Sequence, residues 1–156
     1  MTSTAYESAD LILRLYDLRR EPTLRAAREW FFFSFHPRSA DDVFRMWVGA
    51  DSARYRMVTT YWEMAAALVR RGAIDEAMFH AANTEYVALI AKLGPFLPEL
   101  RQRSGLADYL AEVEALVRSM PDADTRLAVL ERYLARKAGK REAATLASTR
   151  AEGPAE

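Results

Sequence analysis

Four bulky aromatic residues, Trp30, Phe31, Phe32 and Phe33, follow one another in a segment whose other residues have helical spacing. Successive residues of an α-helix point about 100° apart, so these rings face nearly every direction around the helix axis. A helix without a polar side must be enclosed by other helices or by a partner chain. This run therefore constrains the fold more than any other feature of the chain.

A second predicted helix, over residues 52–71, has the same character. Two apolar stripes run along it and leave little polar surface apart from its arginines. The stripes consist of Tyr55, Val58, Trp62 and Val69, and of Met57, Tyr61, Met64 and Leu68. We predict that this helix and the helix carrying the aromatic run form the centre of the fold.

The chain as a whole predicts an all-α fold, a single-domain bundle of six or seven helices. Nearly every segment has apolar residues at helical spacing, and none shows the sustained alternation typical of strands. Glycine and proline fall between these segments. The predicted helices are 5–20, 22–35, 40–48, 52–71, 76–93, 106–119 and 121–138, with a short helical segment at 96–103.

The last residues differ in composition from the rest. We predict that residues 1–138 form the bundle and that residues 139–156 form a mobile C-terminal tail, either frayed helix or disordered chain. The tail is rich in small and polar residues, and Leu146 is its one large apolar side chain. Such a segment buries too little apolar surface to offset the entropy of ordering it.

The composition argues against several classes of protein. The 22 basic and 22 acidic residues balance, which disfavours a dedicated nucleic-acid binder, because phosphate neutralisation needs a surplus of cations. The absence of cysteine excludes disulfides and thiolate metal sites. There is no signal-peptide pattern and no apolar run long enough to span a bilayer. We therefore expect a cytoplasmic protein without integral membrane association.

Candidates for catalysis are few. His36 precedes Pro37 at a helix end, and His80 lies four residues after Glu76, so that carboxylate and imidazole share one helix face. Di-iron bundles need paired Glu-x-x-His motifs, and the chain has none. We predict no catalytic residue, no metal and no cofactor. A carboxylate/His metal enzyme remains an alternative, and it requires at least two carboxylates beside His80.

A small-molecule pocket between helices is a further alternative. Glu63 lies between Trp62 and Met64 in the middle of an apolar helix, and a buried carboxylate needs a partner. It can be a structural hydrogen-bond acceptor or an acid or base with a raised pKa. Glu85 poses the same question. The candidate pocket residues are Tyr55, Trp62, Glu63 and Tyr86.

The most basic stretch lies toward the C-terminus. It contains Arg132, Arg136, Lys137, Lys140 and Arg141. We interpret it as a solvated helix end, where cations offset the negative end of the helix dipole. Binding of an anion or RNA is the alternative interpretation.

One region resembles a known family. Its features are Trp62-Glu63 on a long helix, a Gly72-Ala73-Ile74-Asp75 turn inside the stretch from Leu68 to Glu76, and the segment from Pro95 to Arg101. From about Val43 to Arg103 the chain is similar to a bacterial all-helical domain family of unknown function. A Trp at the end of the second helix in that family is absent here, where Leu89, Leu93 and Phe96 stand. The resemblance implies an all-helical fold and carries no activity.

These observations predict a non-catalytic interaction or scaffold module. Exposed rings favour association, because burying one large apolar side chain is worth about 1.5–3 kcal/mol. We expect a homodimer, since two-fold symmetry is the commonest, with another protein as the alternative partner. A fully intramolecular core is the competing interpretation. The candidate contact residues are Trp30, Phe31, Phe32, Phe33 and Trp47.

Overall fold

The computed structural model describes residues 3–151 and confirms the all-α fold. Within this range it has nine α-helices, one 3₁₀ turn (Gly94–Phe96) and no β-strand. The helices are α1 (Ala5–Arg20), α2 (Pro22–Phe33), α3 (Ala40–Val48), α4 (Ser52–Arg70), α5 (Glu76–Ala82), α6 (Glu85–Leu93), α7 (Leu97–Ser104), α8 (Ala111–Arg118) and α9 (Ala123–Ala151). None of these described helices is long and apolar enough to cross a membrane.

Side-chain caps explain where several helices begin. Thr4 and Glu7 form a capping box at the start of α1, and Ser39 and Asp42 form another at the start of α3. Asp75 accepts a 2.7 Å hydrogen bond from a first-turn backbone N–H of α5. These bonds satisfy donors that the first turn of a helix leaves free, so these boundaries are determined by nearby residues.

The predicted helix 76–93 is wrong in one respect, because the structure divides it into α5 and α6. Asn83 adopts an extended conformation, with φ −138° and ψ 139°. Its side-chain amide donates a 3.2 Å hydrogen bond to the Phe79 carbonyl. Asn and Thr offer such local bonds in competition with the helix, and Thr84 follows directly. The break redirects α6, in which seven of nine residues are buried.

Helices α2, α4 and α6 enclose the aromatic core. The ring of Phe31 on α2 lies 5.8 Å from that of Tyr55 on α4. The ring of Trp62 on α4 lies 5.8 Å from that of Tyr86 on α6. All four side chains are almost completely buried. The predicted aromatic centre is therefore present, with α6 as its third member.

The chain buries more of its rings than the sequence predicts. Helix α8 packs against α4, and α9 packs against α6 and α2. Most of α4 and the inner side of α2 are therefore enclosed by helices of this chain and not by a partner. Phe33 and Met64 remain exposed on these two helices.

Helix α9 is one continuous helix of 29 residues. Ala138 is its last partly buried residue, and the side chains of residues 139–150 are all exposed. The helix thus continues past the predicted boundary at 138 to Ala151, and Arg141 beyond that boundary still donates to the Phe33 carbonyl at 2.8 Å. Residues 1 and 2 of the predicted bundle and 152–156 of the predicted tail lie outside the described residues.

Candidate functional site

Helix α6 holds the middle of α2 through Glu85. This carboxylate accepts two hydrogen bonds from Arg28, 2.7 Å from Nε to Oε1 and 2.5 Å from Nη2 to Oε2. The indole N–H of Trp62 donates a third, at 3.1 Å. The forked pairing fixes the planes of both charged groups, so Glu85 sets the position of α2 on α6.

Lys92 holds the C-terminal end of α2. It lies seven residues after Glu85, on the same side of α6. Its Nζ donates to the carbonyl oxygens of Phe31 at 2.6 Å, Phe32 at 3.3 Å and Phe35 at 2.5 Å. The helix dipole favours a cation at this end. No carboxylate among the described residues pairs with Lys92, and burial lowers its pKa from 10.5 to about 7.

A groove lies between α2, α6 and α9. On α6 it is lined by the small side chain of Ala88, which lies between Glu85 and Lys92 in the sequence. The groove has a volume of about 430 Å³. Its floor is mainly apolar and its walls are charged. The floor residues are Phe32, Ala88, Leu130 and Leu134, and the charged lining residues are Arg25, Arg28, Glu29 and Glu85.

Two aromatic side chains stand at the rim of the groove. Phe33 is 40% exposed and Tyr133 is 46% exposed. The Nζ of Lys137 lies 5.7 Å from the centre of the Phe33 ring and 5.6 Å from that of Tyr133. Both distances are within the range of a cation–π interaction. Lys137 therefore links the two rings while both remain open to solvent.

A smaller cleft of about 250 Å³ continues the groove toward the start of α9. It shares Thr84 and Leu130 with the groove and adds Val129, and Arg126 lies at its end. The groove and cleft together follow α9 from Thr125 to Leu134. At 1.5 Å per residue this length is about 14 Å.

The four residues predicted to line a small-molecule pocket do not surround a common cavity. The hydroxyls of Tyr55 and Tyr109 share a 2.5 Å hydrogen bond, and the Trp62 N–H is bonded to Glu85. The Tyr86 hydroxyl donates to Nδ1 of His80. These three rings are buried with their polar atoms satisfied inside the chain. They stabilise the core, which corrects the pocket prediction for them.

The fourth, Glu63, stabilises the start of α8. Its Oε1 accepts from the Glu112 N–H at 3.0 Å, and its Oε2 accepts from the Val113 N–H at 2.9 Å. Leu110 occupies the N-cap position with φ 54° and has no side-chain oxygen to offer. Glu63 supplies the acceptor that a capping Ser or Asp would provide, at the positive end of the helix dipole. The geometry favours the structural role for Glu63.

Of the five predicted contact residues, Phe33 is the exposed one. Phe31 lies in the core, so its assignment to an interface is corrected, whereas Phe32 is buried except where it lines the groove. Trp30 is partly buried and stacks on Phe35, with ring centres 5.3 Å apart. Trp47 is also partly buried, in edge contact with Phe44 and Tyr109. The surface that α2 offers to a partner is therefore small and centred on Phe33.

His80 is engaged through both ring nitrogens. Its Nε2 donates to Glu76 at 3.1 Å, and its Nδ1 accepts from Tyr86. Burial raises the pKa of Tyr86, so the hydroxyl keeps its proton. The metal-enzyme alternative requires at least two carboxylates beside His80. Across residues 3–151, no group of three or more His, Asp or Glu side chains is arranged to hold a metal.

The sequence reasoning missed Lys92 and Tyr133. Lys92 is the one charged residue in the apolar stretch from Tyr86 to Leu93, which is a signal for a buried cation. Tyr133 and Lys137 are four residues apart on a helix, a spacing that brings ring and ammonium together. Both signals were present in the sequence.

A comparison with known protein families finds a match for most of this chain. The domain of unknown function DUF4760 matches residues 4–120. The chain belongs to the DUF4760 family. This confirms the resemblance seen from Val43 to Arg103 and extends it over α1 to α8. Helix α9 begins at Ala123, so one wall of the groove lies outside the DUF4760 match. No curated protein and no solved structure matches the chain.

The residues that carry the DUF4760 resemblance stabilise the fold. Trp62 and Glu63 bind Glu85 and the start of α8, as described above. Gly72 ends α4 with φ 76°, in the left-handed region that favours glycine. Arg101 donates to the Tyr109 carbonyl at 2.9 Å and forms a 2.7 Å ion pair with Glu114. These DUF4760 features join helices to one another and imply no reaction.

Proposed function

We propose that this DUF4760 domain is a non-catalytic interaction module whose docking surface is the groove between α2, α6 and α9. The observation that carries the proposal is the pair of exposed rings, Phe33 and Tyr133, at the rim of an apolar floor. Aromatic side chains beside a concave apolar surface are typical of protein interfaces.

The chain's acid–base side chains add support. Glu63, Glu85 and His80 each make at least two hydrogen bonds within the fold. A side chain held in this way would have to leave its partners before it could transfer a proton to or from a substrate. This favours binding over catalysis.

A library of random peptides displayed on phage tests the proposal, because it samples many sequences and does not require the partner to be identified first. Peptides selected on the full chain are re-tested on the double variant Phe33→Ser/Tyr133→Ser and on the control Leu13→Ser, which alters an exposed apolar residue of α1. We expect the double variant to weaken binding at least about tenfold, as loss of interface aromatics does, and the control to leave it unchanged. Failure to select any peptide, or peptides indifferent to the double substitution, contradicts the proposal.

Self-association is a second candidate function, and the outer side of α1 favours it. Tyr6 is 83% exposed, and Leu13 and Tyr16 are also exposed on the same side of the helix. The nearby charges are paired within α1: Asp10 with Arg14, and Asp17 with Arg20. Because they balance, a second copy can lie antiparallel against this side without like-charge repulsion.

Light scattering at a protein concentration on the order of tens of micromolar tests self-association. A dimer with a dissociation constant above this range would scarcely form at cellular concentrations. We expect a particle of twice the 17.7 kDa chain mass, reduced to the monomer by Leu13→Asp. The Phe33→Ser/Tyr133→Ser variant should remain dimeric. A wild-type monomer at this concentration removes the hypothesis.

A further inference from the structure

We propose that the groove holds an acidic amphipathic helix of another protein, about three turns long, with apolar residues in its middle and carboxylates at both ends. This inference rests on the docking function proposed above and adds the chemistry of the partner. Three properties of the groove carry it: its length, the distribution of its apolar surface and the position of its cations.

The shape of the groove fits a helix. Helices α2 and α9 flank the groove with α6 between them, and apolar side chains of all three form its floor. An amphipathic helix can lay its apolar side into a groove of this kind. The lined distance from Thr125 to Leu134 along α9, about 14 Å, corresponds to between two and three helical turns. The apolar surface lies along the middle of this length, where Phe32, Leu130 and Leu134 line the groove.

Cations stand at both ends of the groove. Arg25 lines the groove near the start of α2, and Lys137 lies beside the rim rings at the other end. Neither belongs to an ion pair in the part of the chain that the structure describes, whereas Arg28 is engaged by Glu85. Glu29 is the lining carboxylate that stays unpaired within the same residues. The unengaged charge around the groove is thus mainly positive, which suits carboxylates at both ends of a partner.

The exposed side of α9 strengthens this preference. Three further cations are exposed on α9, within two helical turns of Tyr133 and Lys137: Arg132, Arg136 and Lys140. A second copy of this chain docked by the same surface would bring these cations face to face, at a cost in electrostatic repulsion. A partner with acidic residues avoids that cost. A nucleic acid would satisfy the cations but leave the apolar floor without a partner.

Two synthetic helical peptides of about 11 residues, or three turns, test the chemistry directly. They share a central set of Leu and Phe at positions i, i+3, i+4 and i+7 and differ at their ends, which carry Glu in one and Lys in the other. Titration of the full chain by fluorescence anisotropy compares them. We expect the Glu peptide to bind with a Kd below about 100 μM and to weaken as salt is raised, and the Lys peptide not to bind.

Charge reversal in the protein identifies the cations involved. Arg25→Glu/Lys137→Glu should lower the affinity for the Glu peptide at least about tenfold and allow the Lys peptide to bind. The control Arg14→Glu/Arg56→Glu makes the same change in net charge at exposed sites outside the groove, and we expect it to change the affinity less than about twofold.

The outcomes separate this inference from the docking function. If the library peptides need Phe33 and Tyr133 but the Glu and Lys peptides bind equally or not at all, the docking function stands and the acidic partner is overturned. An equal loss of affinity for the Glu peptide in the Arg14→Glu/Arg56→Glu control also overturns the acidic partner, since the attraction would then depend on net charge alone. Tight binding of poly-U RNA that requires Arg25 and Lys137, with no peptide binding, overturns it as well.

Discussion

Phe31 and Phe33 are two residues apart on α2, yet their surroundings are opposite. Phe31 is completely buried between α2 and α4, whereas Phe33 is 40% exposed beside α9. The inner side of α2 is held by Glu85 and Lys92 of α6. On the outer side, Lys137 lies over the Phe33 ring, and the Arg141 guanidinium donates to the Phe33 carbonyl at 2.8 Å. Identical side chains on one helix thus serve stability on one side and are free for contact on the other.

The charges follow the same division. On the inner side, Glu85 and Lys92 use their polar atoms on fixed partners, as burial requires. On the outer side, Arg25 and Lys137 have no ion pair within the described residues. Exposed cations gain little from a single fixed partner because water screens them. They remain available for a partner that also covers the rings.

The largest effect should come from truncating the inner ring. Phe31→Ala removes a completely buried ring and leaves a cavity, so we expect the free energy of unfolding to fall by about 3–5 kcal/mol. Phe33→Ala, the same change at an exposed position, should cost less than about 1 kcal/mol. Urea denaturation of both variants measures the difference. Equal losses would mean that the two sides of α2 are equally buried in solution.

A slightly smaller effect is expected from removing the inner carboxylate. Glu85→Leu leaves Arg28 without its ion-pair partner and Trp62 without its hydrogen-bond acceptor. The side chains of Glu85 and Arg28 are only 20% and 21% exposed. We expect a loss of about 3 kcal/mol in the free energy of unfolding, since an unpaired buried charge is costly.

The matched control is Glu29→Leu, the same substitution at an exposed site on α2. It should change the free energy of unfolding by less than about 0.5 kcal/mol. If Glu85→Leu proves no worse than this control, the ion pair with Arg28 does not position α2.

Local signals were enough to predict part of this fold. The bounds predicted for α1 and α3 agree with Ala5–Arg20 and Ala40–Val48, because apolar spacing and capping residues act within a few positions of the chain. The break at Asn83 was missed, since Asn and Thr also occur inside helices. For residues 139–156 the prediction left frayed helix and disordered chain open, because their composition shows only that ordering them is costly and not whether a helix forms.

The site depends on contacts that no local pattern contains. Glu63 binds a backbone N–H that is 49 residues away in the sequence, and Arg28 binds Glu85 across 57 residues. The sequence could show that both carboxylates need a partner, but not which partner. Burial of Phe31 and exposure of Phe33 likewise depend on where α4 and α9 pack. The apolar pattern of α2 does not determine those positions.

The pH dependence of stability tests the cation on the inner side. Burial lowers the pKa of Lys92 from 10.5 to about 7, so between these values the folded chain binds fewer protons than the unfolded chain. The contribution of Lys92 to stability is therefore fully present above 10.5 and is lost as pH falls toward 7. We expect the free energy of unfolding to rise with pH between 7 and 9, by at most about 1.4 kcal/mol per pH unit.

The variant Lys92→Met isolates this contribution, and its slope between pH 7 and 9 should be flatter than that of the wild type. His36 lies nearby, but burial lowers its pKa below 6.5, so it stays neutral in this range. Identical slopes for variant and wild type would show that the three carbonyls hold the ammonium firmly enough to cancel the effect of burial.

The smallest effect concerns the segment of α9 that reaches the outer side of α2. Gly139 lies inside this helix, between Lys137 and Arg141, and a methyl group added there meets nothing within 4 Å. Glycine in a helix interior costs about 0.5–1 kcal/mol relative to alanine, so Gly139→Ala should raise the free energy of unfolding by up to that amount. Gly105 has equally open space but a φ of 75°, which alanine adopts only with strain. Gly105→Ala should therefore lower the free energy of unfolding by about 1 kcal/mol. Urea denaturation compares the two, and hydrogen exchange should be slower after residue 139 in the first variant. Shifts of the same sign would mean that α9 is not helical at Gly139, and that the outer side of α2 lacks the support of Arg141.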